Sequence, residues 1–120
     1  METILKITCN DPEEATLLIE ILQELASAQQ KHPIWPRDAV SRAAIVSEEA
    51  GEVIREANHI REGHGNPSLL RMELIQTAAT CIRMINVMDT ERRNARPIAT
   101  VCNEPIGKGL AALLPDFKNV

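Results

Sequence analysis

A chain of 120 residues with 13 basic and 17 acidic side chains carries a formal charge of −4 and has a pI near 5.4. That balance excludes a general nucleic-acid surface, which needs clustered cations to displace the counterions of a phosphate backbone. Trp35 and Phe117 are the aromatic residues of a sequence that is 44% apolar, so a single-domain core must be built from Leu, Ile, Val, Ala and Met, which suits helix packing better than a β-sandwich.

Residues 1–9 mix Ile4, Leu5 and Ile7 with Thr3, Lys6 and Thr8, giving a short strand or an extended arm. A first helix starts at Asn10-Asp11-Pro12-Glu13-Glu14: Asp11 is the N-cap, Pro12 fits the first helical position, and Glu14 stands three residues after the cap. Leu18, Ile21, Leu22, Leu25 and Ala28 repeat at helical spacing to about Gln30. His32-Pro33-Ile34-Trp35-Pro36 ends that helix, because prolines remove donors and disfavour helical geometry before them. A second helix is predicted from Pro36 or Arg37 to Arg61, with Ala43, Val46, Ala50, Val53, Ala57 and Ile60 as a bundle-type stripe. The small residues Ala43, Ala50, Gly51 and Ala57 leave room for a neighbouring helix.

Gly63-His64-Gly65-Asn66-Pro67 is a loop. Asn66 or Ser68 caps a third helix over about 68–91, whose apolar face includes Leu70, Leu74, Ala78, Cys81, Ile82, Ile85 and Met88. Beyond Asn94, Pro97, Pro105, Gly107, Gly109 and Pro115 prevent another long helix. An irregular tail over 95–120 is left, with one short turn around 108–114. The expected fold is all-α: one domain of three long helices and a short C-terminal segment. Helices this apolar on several sides complete their burial in a homo-oligomer. Cys9, Cys81 and Cys102 form no Cys-x-x-Cys pair, so neither a disulfide framework nor a zinc site is expected. No signal peptide or membrane-length apolar run is seen, and a soluble, cytoplasmic protein without membrane association is expected.

Chemistry enters with Glu48-Glu49-Ala50-Gly51-Glu52. At about 100° per residue, Glu48, Glu49 and Glu52 share one helix face, and Glu56 joins them a turn later. Like charges at i,i+4 cost roughly 0.2–0.5 kcal/mol per pair, so Glu48/Glu52 and Glu52/Glu56 are unfavourable unless a cation offsets them. Arg55 is the one Lys or Arg within a turn on the C-terminal side of the group. Clustered carboxylates suit Mg2+, which takes a few of them and fills its other positions with water and substrate phosphate.

On the third helix Glu73, Gln76, Thr77, Thr80 and Arg83 form a polar stripe opposite the apolar face. The short loop favours antiparallel packing, which turns Glu73 and Gln76 toward Glu49 and Glu52. The competing reading is a merely solvated charged face. Ile45, in the middle of the acidic arc, and Glu73, repeating the pattern on the next helix, speak against it. Trp35 either stacks on a nucleobase or plugs the helix junction, and His32 either contacts substrate or hydrogen-bonds within its loop. Arg83 and the cluster Arg92, Arg93 and Arg96 neutralise phosphate charge or are simply solvated. His59 and His64 lack zinc-site spacing, and Lys108 between two glycines has no P-loop pattern around it.

Glu48-Glu49-Ala-Gly-Glu52, followed after twenty residues by Glu73-Leu-Ile-Gln76, resembles the EExxE…ExxD signature of the MazG-like all-α nucleoside triphosphate pyrophosphohydrolases. His32-Pro-Ile-Trp35-Pro ahead of the motif, Ala43 to Glu49 through it and Glu73 to Arg83 after it look like the phage-type and mobile-element branch, and the resemblance covers roughly residues 15–90. It implies a MazG-like bundle that hydrolyses a (deoxy)nucleoside triphosphate to the monophosphate and pyrophosphate with Mg2+, for which Mn2+ can substitute. It also implies Glu49, Glu52 and Glu73 as principal metal ligands, and Glu48 as binder of a second ion or as the residue that orients the attacking water. Trp35, His32 and Arg83 are then the substrate contacts, the assembly a homodimer or dimer of dimers, and the role nucleotide-pool cleansing. The last acidic position of the signature is Gln76 here, so a neutral carbonyl oxygen replaces a carboxylate in the ligand set. A pyrophosphohydrolase acting on a phosphoribosyl-nucleotide is one rival. A catalytically weak bundle that binds nucleotide or a protein partner is the other.

Overall fold

Three helices, α1 (Pro12–Lys31), α2 (Ala39–Arg61) and α3 (Pro67–Ala95), make up the architecture, with no strand among the described residues. The computed structural model describes Thr8 and residues 10–95. The rest of the expected N-terminal arm, Arg96 and the turn at 108–114 lie outside these residues. The chain divides into one unit through Val87 and a second from Met88, and the site below belongs to the first. Among the described residues no helix is long and apolar enough to cross a membrane.

The helix ends follow from local chemistry. Asp11 accepts the Glu13 N–H at 2.9 Å, Pro12 opens α1, and Glu13 and Glu14 sit at its positive end while Lys31 sits at its negative end. The second helix begins at Ala39, later than the sequence suggests. Asp38 is its N-cap and accepts the Ser41 N–H at 2.8 Å. Pro36 therefore stays in the connecting loop, where its carbonyl accepts the Arg42 Nε–H at 2.6 Å.

At its C-terminus α2 closes in a Schellman motif: Gly63, at φ 87°, donates to the Ile60 carbonyl and His64 donates to that of His59, each at 3.1 Å. Gly65 is needed for a different reason, since a Cβ there would run into the backbone of Ile60. Asn66, rather than Ser68, caps α3 by accepting the Ser68 N–H at 2.9 Å. The helix then continues to Ala95, one turn beyond the expected end.

The five-residue connection between α2 and α3 returns the chain antiparallel, and α1 runs parallel to α3. An ion pair of Glu20 with Arg71 ties α1 to α3 near their N-terminal halves, and an Arg83 Nη2–H donated to the His32 carbonyl at 2.6 Å ties them near the other end. What is buried between the helices differs from the expected seam. Among the described residues Leu25 and Ala79 are the buried apolar ones, and Arg42, Glu56, Glu73 and Arg83 are buried as well.

The polar stripe of α3 thus faces its neighbours, while Leu74, Ile85 and Met88 of the expected core face are about half exposed. Val46, Ala50 and Val53 of the α2 stripe are half-buried, but Ala43, Ala57 and Ile60 are exposed. Nothing among the described residues lies within 4 Å of a Cβ built on Gly51, so none of the three helices uses the room that it leaves. On α3 the face carrying Glu73, Ala79 and Arg83 is turned inward.

Candidate functional site

The acidic group forms where the middle of α2 passes the start of α3. Glu73 is 6% exposed, and its carboxyl is held above the ordinary carboxylate range, first by burial and then by the charges of Glu52 and Glu56, against an opposing pull from Arg55. Glu49 is raised in the same way, by burial first and then by Glu73, Glu52, Glu48 and Glu24. Glu73 is thus within electrostatic reach of Glu49 and Glu52. Glu48 is exposed at the rim and acts on Glu49 through its charge. Gln76 is half-buried on α3, and its backbone carbonyl accepts the Thr80 hydroxyl at 2.9 Å.

The carboxylates differ in their partners. Arg55 grips Glu52 with both ends of its guanidinium, Nη1 to Oε1 at 3.2 Å and Nη2 to Oε2 at 3.3 Å, and reaches Glu56 through Nε at 3.2 Å. His59 Nδ1 lies 3.5 Å from the other Glu56 oxygen. Glu73 Oε2, by contrast, is buried with no hydrogen-bond partner. A buried carboxylate oxygen without a donor fits a site for a hard cation, which supplies the missing positive charge. As the side chains stand, no three His, Cys, Asp or Glu among the described residues converge into a metal-holding group. Glu52 would have to leave Arg55 to join one.

A cleft of about 390 Å³ opens beside the acidic group, lined by Leu25 and Ala28 of α1, His32, Trp35 and Pro36 of the loop, Ile45 and Glu49 of α2, and Ala79, Thr80 and Arg83 of α3. Its size falls in the range of small-molecule sites, and its mostly apolar lining with a few polar groups is typical of them. Arg83 is 7% exposed, with its Cζ 4.3 Å from the Trp35 ring centroid, a cation–π contact. Burial lowers the Arg83 pKa from its usual value. Through Arg83 on the His32 carbonyl and Arg42 on the Pro36 carbonyl, two buried guanidinium groups pin the 32–36 loop, so Trp35 is a fixed wall.

The structure thus gathers His32, Trp35, Arg83 and Glu49 into one cavity. Arg92 and Arg93 belong to the second unit. Arg92 pairs with Asp89 at 3.4 Å and Arg93 donates to Thr90 at 3.0 Å. The His59 and His64 rings meet at a tilt of 44°, with centroids 4.8 Å apart. Glu24 was overlooked in the sequence although it carries a signal. It falls between Ile21 and Ala28 at i+3 and i−4, an acid on the apolar stripe of α1. Family models, curated proteins and solved structures were all compared with the chain, and none matches it.

Proposed function

We propose that this chain is a Mg2+-dependent nucleoside triphosphate pyrophosphohydrolase of the MazG-like kind, converting a (d)NTP to the (d)NMP and pyrophosphate. One observation carries this reading. Glu49 belongs both to the acidic group with Glu73 and Glu52 and to the lining of the Trp35–Arg83 cleft. A flat apolar group held in that cleft would therefore have its attached phosphates beside the carboxylates.

Each residue then has a task set by its surroundings. Trp35, His32 and the apolar wall of Leu25, Ala28 and Ile45 take the base and exclude water from one side of it, and Arg83 holds that wall in place. Glu49, Glu52 and Glu73, with the carbonyl oxygen of Gln76, would hold the metal. When bound, Mg2+ (or Mn2+) neutralises phosphate charge and lowers the pKa of a coordinated water. Glu48, exposed next to Glu49, orients the attacking water and accepts its proton on a carboxylate oxygen. The products suit nucleotide-pool cleansing in the cytoplasm.

A homodimer or a dimer of dimers completes the fold in this reading. Support comes from the outward apolar faces of α1 and α3, where Leu17, Leu18 and Ile19 are 41–49% exposed and Leu74 is 51% exposed. A second reading is favoured by Gln76 in place of an acid and by the engagement of Glu52 with Arg55: a catalytically weak bundle that binds nucleotide or a protein. The test is pyrophosphate release from a panel of standard and modified nucleoside triphosphates, with and without Mg2+. Metal-dependent release from at least one of them supports hydrolysis; nucleotide binding without release supports the second reading.

A further inference from the structure

The cation already at the acidic group is Arg55. Glu52 and Glu56 stand one turn apart and repel, and the Arg55 guanidinium bonds to both, filling the two oxygens of Glu52 and one of Glu56. Glu73, facing the same residues from α3, is left with one buried oxygen unpartnered. One guanidinium is thus shared by Glu52 and the buried Glu56 and leaves Glu73 without a donor at one oxygen.

We infer that Arg55 is a built-in counter-ion that holds Glu52 when no metal is bound and is displaced from it when Mg2+ loads. The inference rests on the metal-binding reading above and adds to it a competitor within the chain. Three observations carry it. Both Glu52 oxygens are committed to the fork, and the carboxylates do not converge while it is closed. The buried oxygen of Glu73 receives no bond from the Arg55 fork and is open to a second cation. The Arg55–Glu52 pair is also open to water, with side chains 53% and 37% exposed, so it can be broken at small cost.

A buried pair would lock the site, whereas this one acts as a threshold. At low Mg2+ the arginine relieves the repulsion along α2. At higher Mg2+ the divalent ion outcompetes it, because it also satisfies Glu73 and Glu49, which the guanidinium does not bond. Displaced Arg55 stays at the rim, held near Glu56 by its Nε–H.

Calorimetric titration of MgCl2 into the full chain, the Arg55→Gln variant and an Arg71→Gln control tests this. The expected result is tighter binding by about three- to tenfold in Arg55→Gln, the scale of an exposed ion pair plus one removed like charge, with the control unchanged. Nitrogen-15 NMR of the unaltered chain gives a second readout that does not depend on a variant folding. The Arg55 side-chain N–H resonances should shift toward those of a free guanidinium with the midpoint of the calorimetric curve. Mg2+ binding with equal affinity in parent and Arg55→Gln, or with stationary Arg55 resonances, overturns the counter-ion role alone. Absence of Mg2+ binding in every protein overturns the metal reading and this inference together.

Discussion

Glu73→Gln isolates the cost that the site imposes on the metal-free fold. The carboxyl is 6% exposed, one of its oxygens has no donor, and Glu52 and Glu56 repel it. The amide keeps the shape and removes the charge. Relief of two like-charge contacts is worth roughly 0.2–0.5 kcal/mol each. Part of the roughly 1–3 kcal/mol penalty of an unsatisfied buried group is also recovered, since a neutral amide is cheaper to bury than a carboxylate. A gain of about 1 kcal/mol is expected, which for a domain of this size raises the melting temperature by roughly 4–8 °C.

The pH dependence gives the sign independently. A carboxyl raised above the ordinary 4.5 in the folded state is more easily ionised in the unfolded chain. Its contribution to stability is therefore complete below 4.5 and lost as pH rises through the higher folded value. Metal-free wild type should melt higher as pH falls from 7 toward 4.5, with Glu49 contributing in the same direction. Glu73→Gln should lose part of that slope. Melting curves followed by circular dichroism in a chelating buffer measure both effects. A Glu73→Gln variant that melts lower than wild type at pH 7, or that keeps the full slope, would refute the placement of a strained carboxylate at this position.

Glu49→Gln and Glu52→Gln should each abolish Mg2+-dependent turnover while leaving helix content unchanged, as read by pyrophosphate release beside circular dichroism; full activity in both would remove the proposed ligands. Gln76→Asp should lower the metal-free melting temperature and enlarge the rise that Mg2+ induces, because the new oxygen carries charge and binding to the folded state stabilises it; equal shifts in parent and variant would place Gln76 away from the metal. Light scattering at micromolar concentration should find a dimer or tetramer, and a stable, well-folded monomer would contradict the proposed burial of the outer faces of α1 and α3.

What the sequence disclosed and what it hid separate along a physical line. Helix ends were legible where a single side chain decides them: Asp11 and Asn66 cap as their positions suggest, and Gly63 stops α2. Pro36 misled, because proline is welcome at a first helical position, yet Asp38 two residues later offers a stronger cap. The facing of Glu73 toward Glu49 and Glu52 was also legible, since a connection of this length leaves antiparallel packing as the simple return. The identity of the inner face was not. Periodicity says that α3 has two faces; it ranks them by hydropathy and so puts Leu74, Ile85 and Met88 inside. Those residues are about half exposed, while Glu73 and Arg83 are buried. The ranking fails because burying charge is tolerable where each charge finds a partner of another kind: Arg83 has the Trp35 ring and the His32 carbonyl, and Glu56 has Arg55 and His59. Glu73 alone keeps an oxygen with no such partner. The Glu56 partners are local, but those of Arg83 lie 51 positions away at His32 and on the Trp35 ring, and no local window of sequence contains them. Among the described residues the Trp35 indole N–H and one Glu73 carboxylate oxygen are the buried side-chain polar atoms without a partner; a folded chain can keep such atoms where they have a use, and the use proposed here for the oxygen is to meet a cation that the chain itself does not supply.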